Sequence, residues 1–405
     1  MYRLRILIAL GSICLFFNCV DTTSGGFFFV DTPAKIGSAE PSLYVTPNER
    51  LLLSWIEPIS RDEHSLLFSE FKSGRWLDAK TIATGSEWFV NWADFPSLSA
   101  MNDGNLVAHF LEKSGPDTYA YDVKLTISND DGKSWMPSFK PHNDDTETEH
   151  GFVSKLRLSD STLMATWLDG RQYAYAKADS SIMEQMSLRS AIIDTNGNLL
   201  REFLIDERVC DCCQTDMAMT SEGPIVVYRN RSDSEIRDIY FSRYLNGSWS
   251  NPQTVYNDDW KIFGCPVNGP AIASRNKKVA ISWFALNNDR PEVKVSFYNN
   301  SEQVFEEPYR PDQINPLGRV DISWISDERV VVCWMDKLDG DAHIKLQTLS
   351  QNGEFGDIHT VEVTSIERSS GFPRIAVHKD KLFITWTNSD ETTQIRTAYI
   401  NIDNL

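Results

Sequence analysis

Short runs of alternating apolar and polar residues recur along this chain at nearly constant intervals, each bounded by Gly, Asn, Asp or Pro. Alternation of period two marks half-buried β-strands, and the turn residues between runs read as strand–turn–strand structure. Seven times, a β-prone run is followed about fourteen residues later by a second run that ends in an aromatic residue. The first runs open at Pro41, Pro96, Phe152, Cys213, Gly269, Gly318 and Phe372, and the second peak at Trp55, Phe110, Trp167, Tyr228, Trp283, Trp334 and Trp386. Successive aromatics lie 55, 57, 61, 55, 51 and 52 residues apart. A fixed period of this size, without helix-period segments longer than about two turns, predicts an all-β chain: a β-propeller of seven four-stranded blades, with a six-bladed ring as runner-up.

The first unit shows the plan. Residues 41–45 form an inner strand, Leu51 to Trp55 return antiparallel, Ser65 to Ser69 form a third strand, and a Gly74-Arg75-Trp76 turn leads into Lys80 to Ala83. The seventh unit stops after Ile395 to Tyr399, one strand short, while an orphan run Gly26 to Val30 stands near the N-terminus. Pairing that run into the last blade closes the ring and removes an exposed sheet edge.

The chain has 405 residues, with 39 Lys+Arg against 57 Asp+Glu and a formal net charge of −18. A ring of blades allows such length, because each blade packs mainly on its neighbours. The acidic balance excludes nucleic acid as a partner. Residues 1–19 differ in kind: a basic start, then an apolar run from Ile6 to Phe17 that is short for a bilayer span. They read as a lipoprotein-type export leader with Cys19 as the acylated residue, or as an ordinary cleaved leader. Residues 20–25 then form a tether and 26–405 the propeller. The expectation is a monomer of the bacterial cell envelope, lipid-anchored or released, meeting a membrane only through its anchor.

In a propeller the innermost strand begins on the face where the second strand ends, so two sets of residues ring one mouth of the channel. The starts contribute Phe152, Thr215, Asp216, Asn268, Arg319 and Arg374; the ends contribute Glu57, His109, Glu112, Asp169, Arg171, Arg229 and Arg231. Five arginines with several carboxylates exceed what packing needs. Planar guanidinium forks suit anionic ligand groups, and carboxylates of separated pKa suit acid/base work. Asp169 and Asp216 are the preferred carboxylates, with Glu57 and Glu112 behind them. Rim ion pairs of little individual worth are the plain alternative.

Ser128-Asn129-Asp130-Asp131-Gly132-Lys133-Ser134-Trp135 resembles the Asp-box, Ser-x-Asp-x-Gly-x-x-Trp, of the sialidase superfamily. Shorter versions recur at Ser73-Gly74-Arg75-Trp76, Asn246-Gly247-Ser248-Trp249 and Asn352-Gly353-Glu354-Phe355. The resemblance covers roughly residues 26–405 and implies an exported glycoside hydrolase acting on glycans, an exo-α-sialidase in the closest version. Members grip a substrate carboxylate with three arginines and use a Tyr nucleophile paired with Glu, plus an acidic Asp. Arg319 and Arg374 stand at inner-strand starts, Arg171 is the third candidate, and Arg229 and Arg231 compete for that place. Glu40-Pro41-Ser42 stands where the family carries Arg-Ile-Pro, and Tyr173 and Tyr228 are the nucleophile candidates in reach. The alternative is a non-catalytic propeller binding a glycan, a protein or another anionic ligand at the mouth.

Cys210, Cys212 and Cys213 open the fourth unit and Cys265 the fifth, so four sulfurs should meet on the mouth face. In an exported protein the default is two disulfides, with Cys265 bonded to Cys212 or Cys213. The other reading is a metal or redox centre, with thiolates and His150 holding zinc or copper(I). No other cofactor is expected. Cys333, before Trp334, reads as a small core residue.

Overall fold

A computed structural model describes residues 26–405, apart from Asp103 and Gln313. The leader, Cys19 and the 20–25 tether lie outside the described residues. Seven antiparallel sheets follow one another around a ring, giving seven blades rather than six. Blade 1 runs Ala39–Val45, Leu51–Pro58 and His64–Lys72, with Arg75–Trp76 and Lys80–Gly85 on its outer edge. Blade 3 shows the regular pattern: His150–Arg157, Thr162–Asp169, Met186–Asp194 and Leu199–Val209. Blade 2 has three strands, with Phe139 exchanging hydrogen bonds of 2.8 and 2.9 Å with Leu125 where a fourth would lie. One helix, Arg171–Ala178, follows the second strand of blade 3.

The N-terminal strand closes the ring. Phe28–Val30 pairs with Thr393–Asn401 as the outermost strand of blade 7, in the register Phe28 with Tyr399, Phe29 with Ala398 and Val30 with Thr397. The seal also reaches blade 1, because Trp76 Nε1 donates to Thr397 Oγ1 (2.9 Å), which donates to the Val30 carbonyl (2.7 Å).

The repeating aromatics are the core of the blades. Trp55, Trp167, Trp283, Trp334, Trp386 and Tyr228 are fully buried and Phe110 nearly so. A buried indole N–H needs an acceptor. An aspartate two residues on supplies it for Trp167 (Asp169, 2.8 Å) and Trp334 (Asp336, 2.8 Å). The turn over residues 128–135 is held by its own side chains: Asp130 accepts from the backbone N–H and hydroxyl of Ser134, and Gly132 takes φ +74°. Its Trp135 packs edge-on against Phe68 of blade 1. Trp249 of blade 4 likewise donates to Ser190 of blade 3. Each of these turn aromatics keys into the preceding blade.

Near the axis, polar side chains tether each blade to the next. Asp216 accepts from the Ile272 N–H (2.9 Å), Asn268 from Arg319 (2.7 Å) and Asp321 from Ile375 (2.9 Å). Blades 1, 3 and 6 carry a register shift at the start of the inner strand. There Glu40, Phe152 and Arg319 adopt φ of +59°, +53° and +54°. Bulges re-aim side chains, and bulky residues in this region of φ store strain.

Candidate functional site

The connector before the inner strand of blade 2, residues 86–96, is the spine of the site. Asp94 accepts from the Phe152 N–H (2.7 Å), and Gly151 lets it in, since a Cβ there would stand 2.0 Å from Asp94 Oδ2. Tyr121, which opens the third strand of blade 2, donates its hydroxyl toward Glu149 Oε1 (2.8 Å) and Asp94 Oδ2 (3.1 Å). Phe89 stacks on the Tyr121 ring at 4.0 Å and leaves it 1% exposed. Glu149 is half-buried. Its carbonyl accepts from the Gly170 N–H (2.8 Å), and a Cβ at Gly170 would stand 3.0 Å from that oxygen, so a larger residue there would push the two segments slightly apart. This contact docks the start of the helix, and Tyr173 with it, beside Glu149.

Burial pushes the Glu149 carboxyl up to about 8 against the Tyr121 hydrogen bond, with Asp94, Asp211 and Cys265 adding to the rise. Burial raises Asp94 to about 7, and burial with the Asp94 charge raises Glu40 to about 8. These carboxyls hold protons near neutral pH, as a general acid must. Tyr173 is pushed up to about 12 by burial and then by Asp211. Arg231 faces it, bonded to Asp211 (3.2 Å) and in a fork to Glu235.

A cavity of about 250 Å³ runs down the axis from this cluster, lined among others by Asp94, Phe152, Lys155, Gln214, Asp216 and Arg374. At its rim Trp92 stacks on Phe372 (5.7 Å), Phe95 lies 5.7 Å from the same ring, and the Arg374 and Arg368 guanidinium groups lie over Phe95 and Trp92. Trp92 and Phe95 are partly exposed and Phe372 is buried against them, and these faces edged by cations make a platform for flat, partly apolar ligand surfaces.

The expected arginine grip does not form, because most of the guanidinium forks are filled by the protein. Arg171 is buried in a double contact with Asp169 (2.7 Å each) and reaches Glu202 (2.9 Å). Arg229 donates to the carbonyls of Asn268, Arg237 and Phe284. Arg319 donates to Ser370 (2.6 Å) and Gly371, with its pKa lowered to about 10 by burial and by Arg368. Arg374, partly exposed and 3.2 Å from Asp321, faces the cavity.

The expected carboxylates are also taken. Asp169 is fully buried and accepts from Trp167 and Arg171. Burial alone would raise its pKa, and the Arg171 hydrogen bonds and charge with His150 outweigh that and lower it. Glu57 pairs with Lys35 (2.5 Å) and Glu112 with Lys124 (2.8 Å). Asp216 tethers blades 4 and 5 from the cavity wall, with its pKa raised to about 6 by burial. Tyr228 is buried, donating to Asp206 (2.7 Å), whereas Tyr173 is at the site. His150 stacks on His142 (4.0 Å) and bonds Asp144 (2.9 Å), in a network separate from the cysteines. Cys210, Cys212 and Cys213 meet as free thiols rather than disulfides, with the exposed Cys265 beside them.

The raised carboxyls give a signed pH dependence. Below about pH 4.5 folded and unfolded chains both hold the Glu40 proton; between there and about 8 only the folded chain does, so stability falls as pH rises. Each such group contributes at most about 1.4 kcal/mol per pH unit. Glu40→Gln is therefore expected to flatten the decline, raising Tm relative to the parent more at pH 8 than at pH 5. Identical slopes in thermal melts across that range would refute a buried, protonated Glu40.

No protein-family profile matches the chain, and no curated protein matches it in sequence. Among solved structures it is similar to an ulvan lyase of a new polysaccharide lyase family, with TM-score 0.56 and 11% identity over 92% of this chain and 96% of that one. It is similar to a protein of unknown function from Dyadobacter fermentans, with TM-score 0.51 and 11% identity over 94% of this chain and 100% of that one. It also matches the NanB sialidase from Streptococcus pneumoniae, with TM-score 0.47 and 10% identity over 96% of this chain and 71% of that one. At such identities the likeness is one of fold.

Proposed function

We propose that this propeller is a glycan-processing enzyme that acts on an acidic glycan at the mouth formed by blades 2 to 4 and the Trp92–Phe372 platform. The observation that carries the reading is the Glu149 carboxyl, half-buried, 2.8 Å from the Tyr121 hydroxyl and pushed by burial up to about 8. Glu149 would supply or take the proton at the scissile bond. Arg374 would face an acidic group of the ligand, and the aromatic platform would carry a sugar ring. Several propellers of similar fold are named for glycan cleavage, which fits this reading without choosing its chemistry.

The finer version is sialoside hydrolysis. The Tyr121–Glu149–Asp94 trio supports it, being the residue set that the sialidase resemblance implies; opening Tyr121 to substrate then requires Phe89 to move. Nearly complete burial of Tyr121 favours the second reading, a propeller that binds glycan without cleaving it. Presentation outside the cytoplasm through the 1–19 leader belongs to the same proposal.

The test incubates the full-length protein with sialosides and with sulfated and uronate-containing polysaccharides, and reads sialic acid, reducing ends and unsaturated sugars separately. Glu149→Gln is expected to lower turnover at least ~100-fold with little change in KM. Binding without product would establish the non-catalytic reading. Neither binding nor product on any acidic glycan would overturn the proposal.

A further inference from the structure

Three thiols gather, with a fourth beside them, where two inter-blade connectors meet. Cys210, Cys212 and Cys213 lie between the outer strand of blade 3, which ends at Val209, and the inner strand Asp216–Thr220 of blade 4. Cys265 lies between Gln253–Thr254 of blade 4 and Ala271–Arg275 of blade 5. The Cys210 sulfur stands 3.9 Å from that of Cys212 and 3.7 Å from that of Cys213, and the three lie within 4.8 Å of one another. The exposed Cys265 lies beside this trio, with its thiol toward Cys212. A disulfide needs about 2.05 Å between sulfurs. The two measured separations match the edge of a sulfur tetrahedron, since Zn–S bonds of about 2.3 Å set neighbouring sulfurs about 3.8 Å apart.

The surrounding charge points the same way. Arg229 is 1% exposed, lies over Trp260, gives its hydrogen bonds to carbonyls, and has no carboxylate within 4.0 Å among the described residues. A buried guanidinium without an anion costs several kcal/mol. Arg237 lies beside the cluster, with Nη1 3.2 Å from Cys210 Sγ and Nη2 2.9 Å from Glu235. Neutral disulfides would leave Arg229 uncompensated.

We propose that Cys210, Cys212, Cys213 and Cys265 bind one zinc ion as thiolates, with Arg229 and Arg237 balancing the excess negative charge. Four thiolates satisfy zinc in a closed structural site. The ion cross-links the two connectors and fixes Asp211, which carries Arg231 at the mouth.

The full-length protein, purified without chelators, is expected to carry about one zinc per chain, and cobalt exchange should give the intense sulfur-to-cobalt bands of a tetrahedral thiolate site. Cys210→Ser and Cys213→Ser should lose the metal, and Cys333→Ala, in the core of blade 6, should keep it. Arg237→Ala should weaken zinc binding about 10- to 100-fold, the usual effect of removing a partner of a ligand. The cobalt spectrum of the parent decides the matter even where a serine variant fails to fold. Four free thiols with no zinc after metal-replete purification, copper in its place, or a mass showing two disulfides would each overturn the proposal.

Discussion

Deleting residues 26–30 is expected to cost at least about 5 kcal/mol, a large share of the 5–15 kcal/mol that holds a typical domain folded. The strand brings Phe27, which is 1% exposed, and the Phe28–Tyr399 stack at 5.2 Å. It also supplies the acceptor that ends the relay from Trp76 through Thr397. Without it Thr393–Asn401 becomes an unpaired edge, the kind of surface that recruits other chains. Urea unfolding monitored by tryptophan fluorescence measures the loss, and aggregation should accompany it. Phe27→Ala in the intact chain should cost about 3–5 kcal/mol through its cavity. A deletion variant that unfolds at the parent's midpoint would show that the ring does not depend on this strand.

Asp169→Ala should destabilise by about 3–5 kcal/mol, because it strands a buried guanidinium and removes an acceptor from a buried indole. Arg171 retains Asp144 at 3.3 Å and Glu202 at 2.9 Å, which places the loss toward the lower figure. The folded-state pKa of Asp169 is depressed, so its contribution is present above the ordinary carboxylate pKa and fades as pH falls through the folded value. The variant should therefore differ most from the parent near neutrality and converge toward it in acid. A carboxylate that served catalysis alone would leave Tm untouched, so denaturation curves at two pH values separate the roles.

The ring was legible because its cause is periodic: seven buried aromatics at the ends of second strands, and an unpaired run at each terminus that can only be satisfied by the other. The cysteine gathering was legible for the same reason, since equivalent points of adjacent units must be neighbours. The site was less so. Proximity to a mouth says nothing about occupancy, and Asp169 is spent on Trp167 and Arg171. A Trp-x-Asp spacing repeated at Trp334 and Asp336 marks that structural use. Asp94, Tyr121 and Glu149 escaped because two of them sit in connectors and only the long-range fold brings them together. The available clue was the Glu149-His150-Gly151 opening of blade 3, where a glycine gives Asp94 room.

The seal between the first and last strands also orders events in time. Val30 and Thr397 are separated by 367 positions, so the N-terminal strand must wait for one made far later before their ladder can form. Loop-closure entropy and high contact order slow such pairings, and until it happens blade 7 presents a raw edge beside a free, aromatic-rich N-terminal strand. Blades 1 to 6 can stack in turn as they emerge, each keyed to its predecessor. The closing step is therefore the vulnerable interval in the life of the molecule, when a second copy can donate its strand in place of the chain's own.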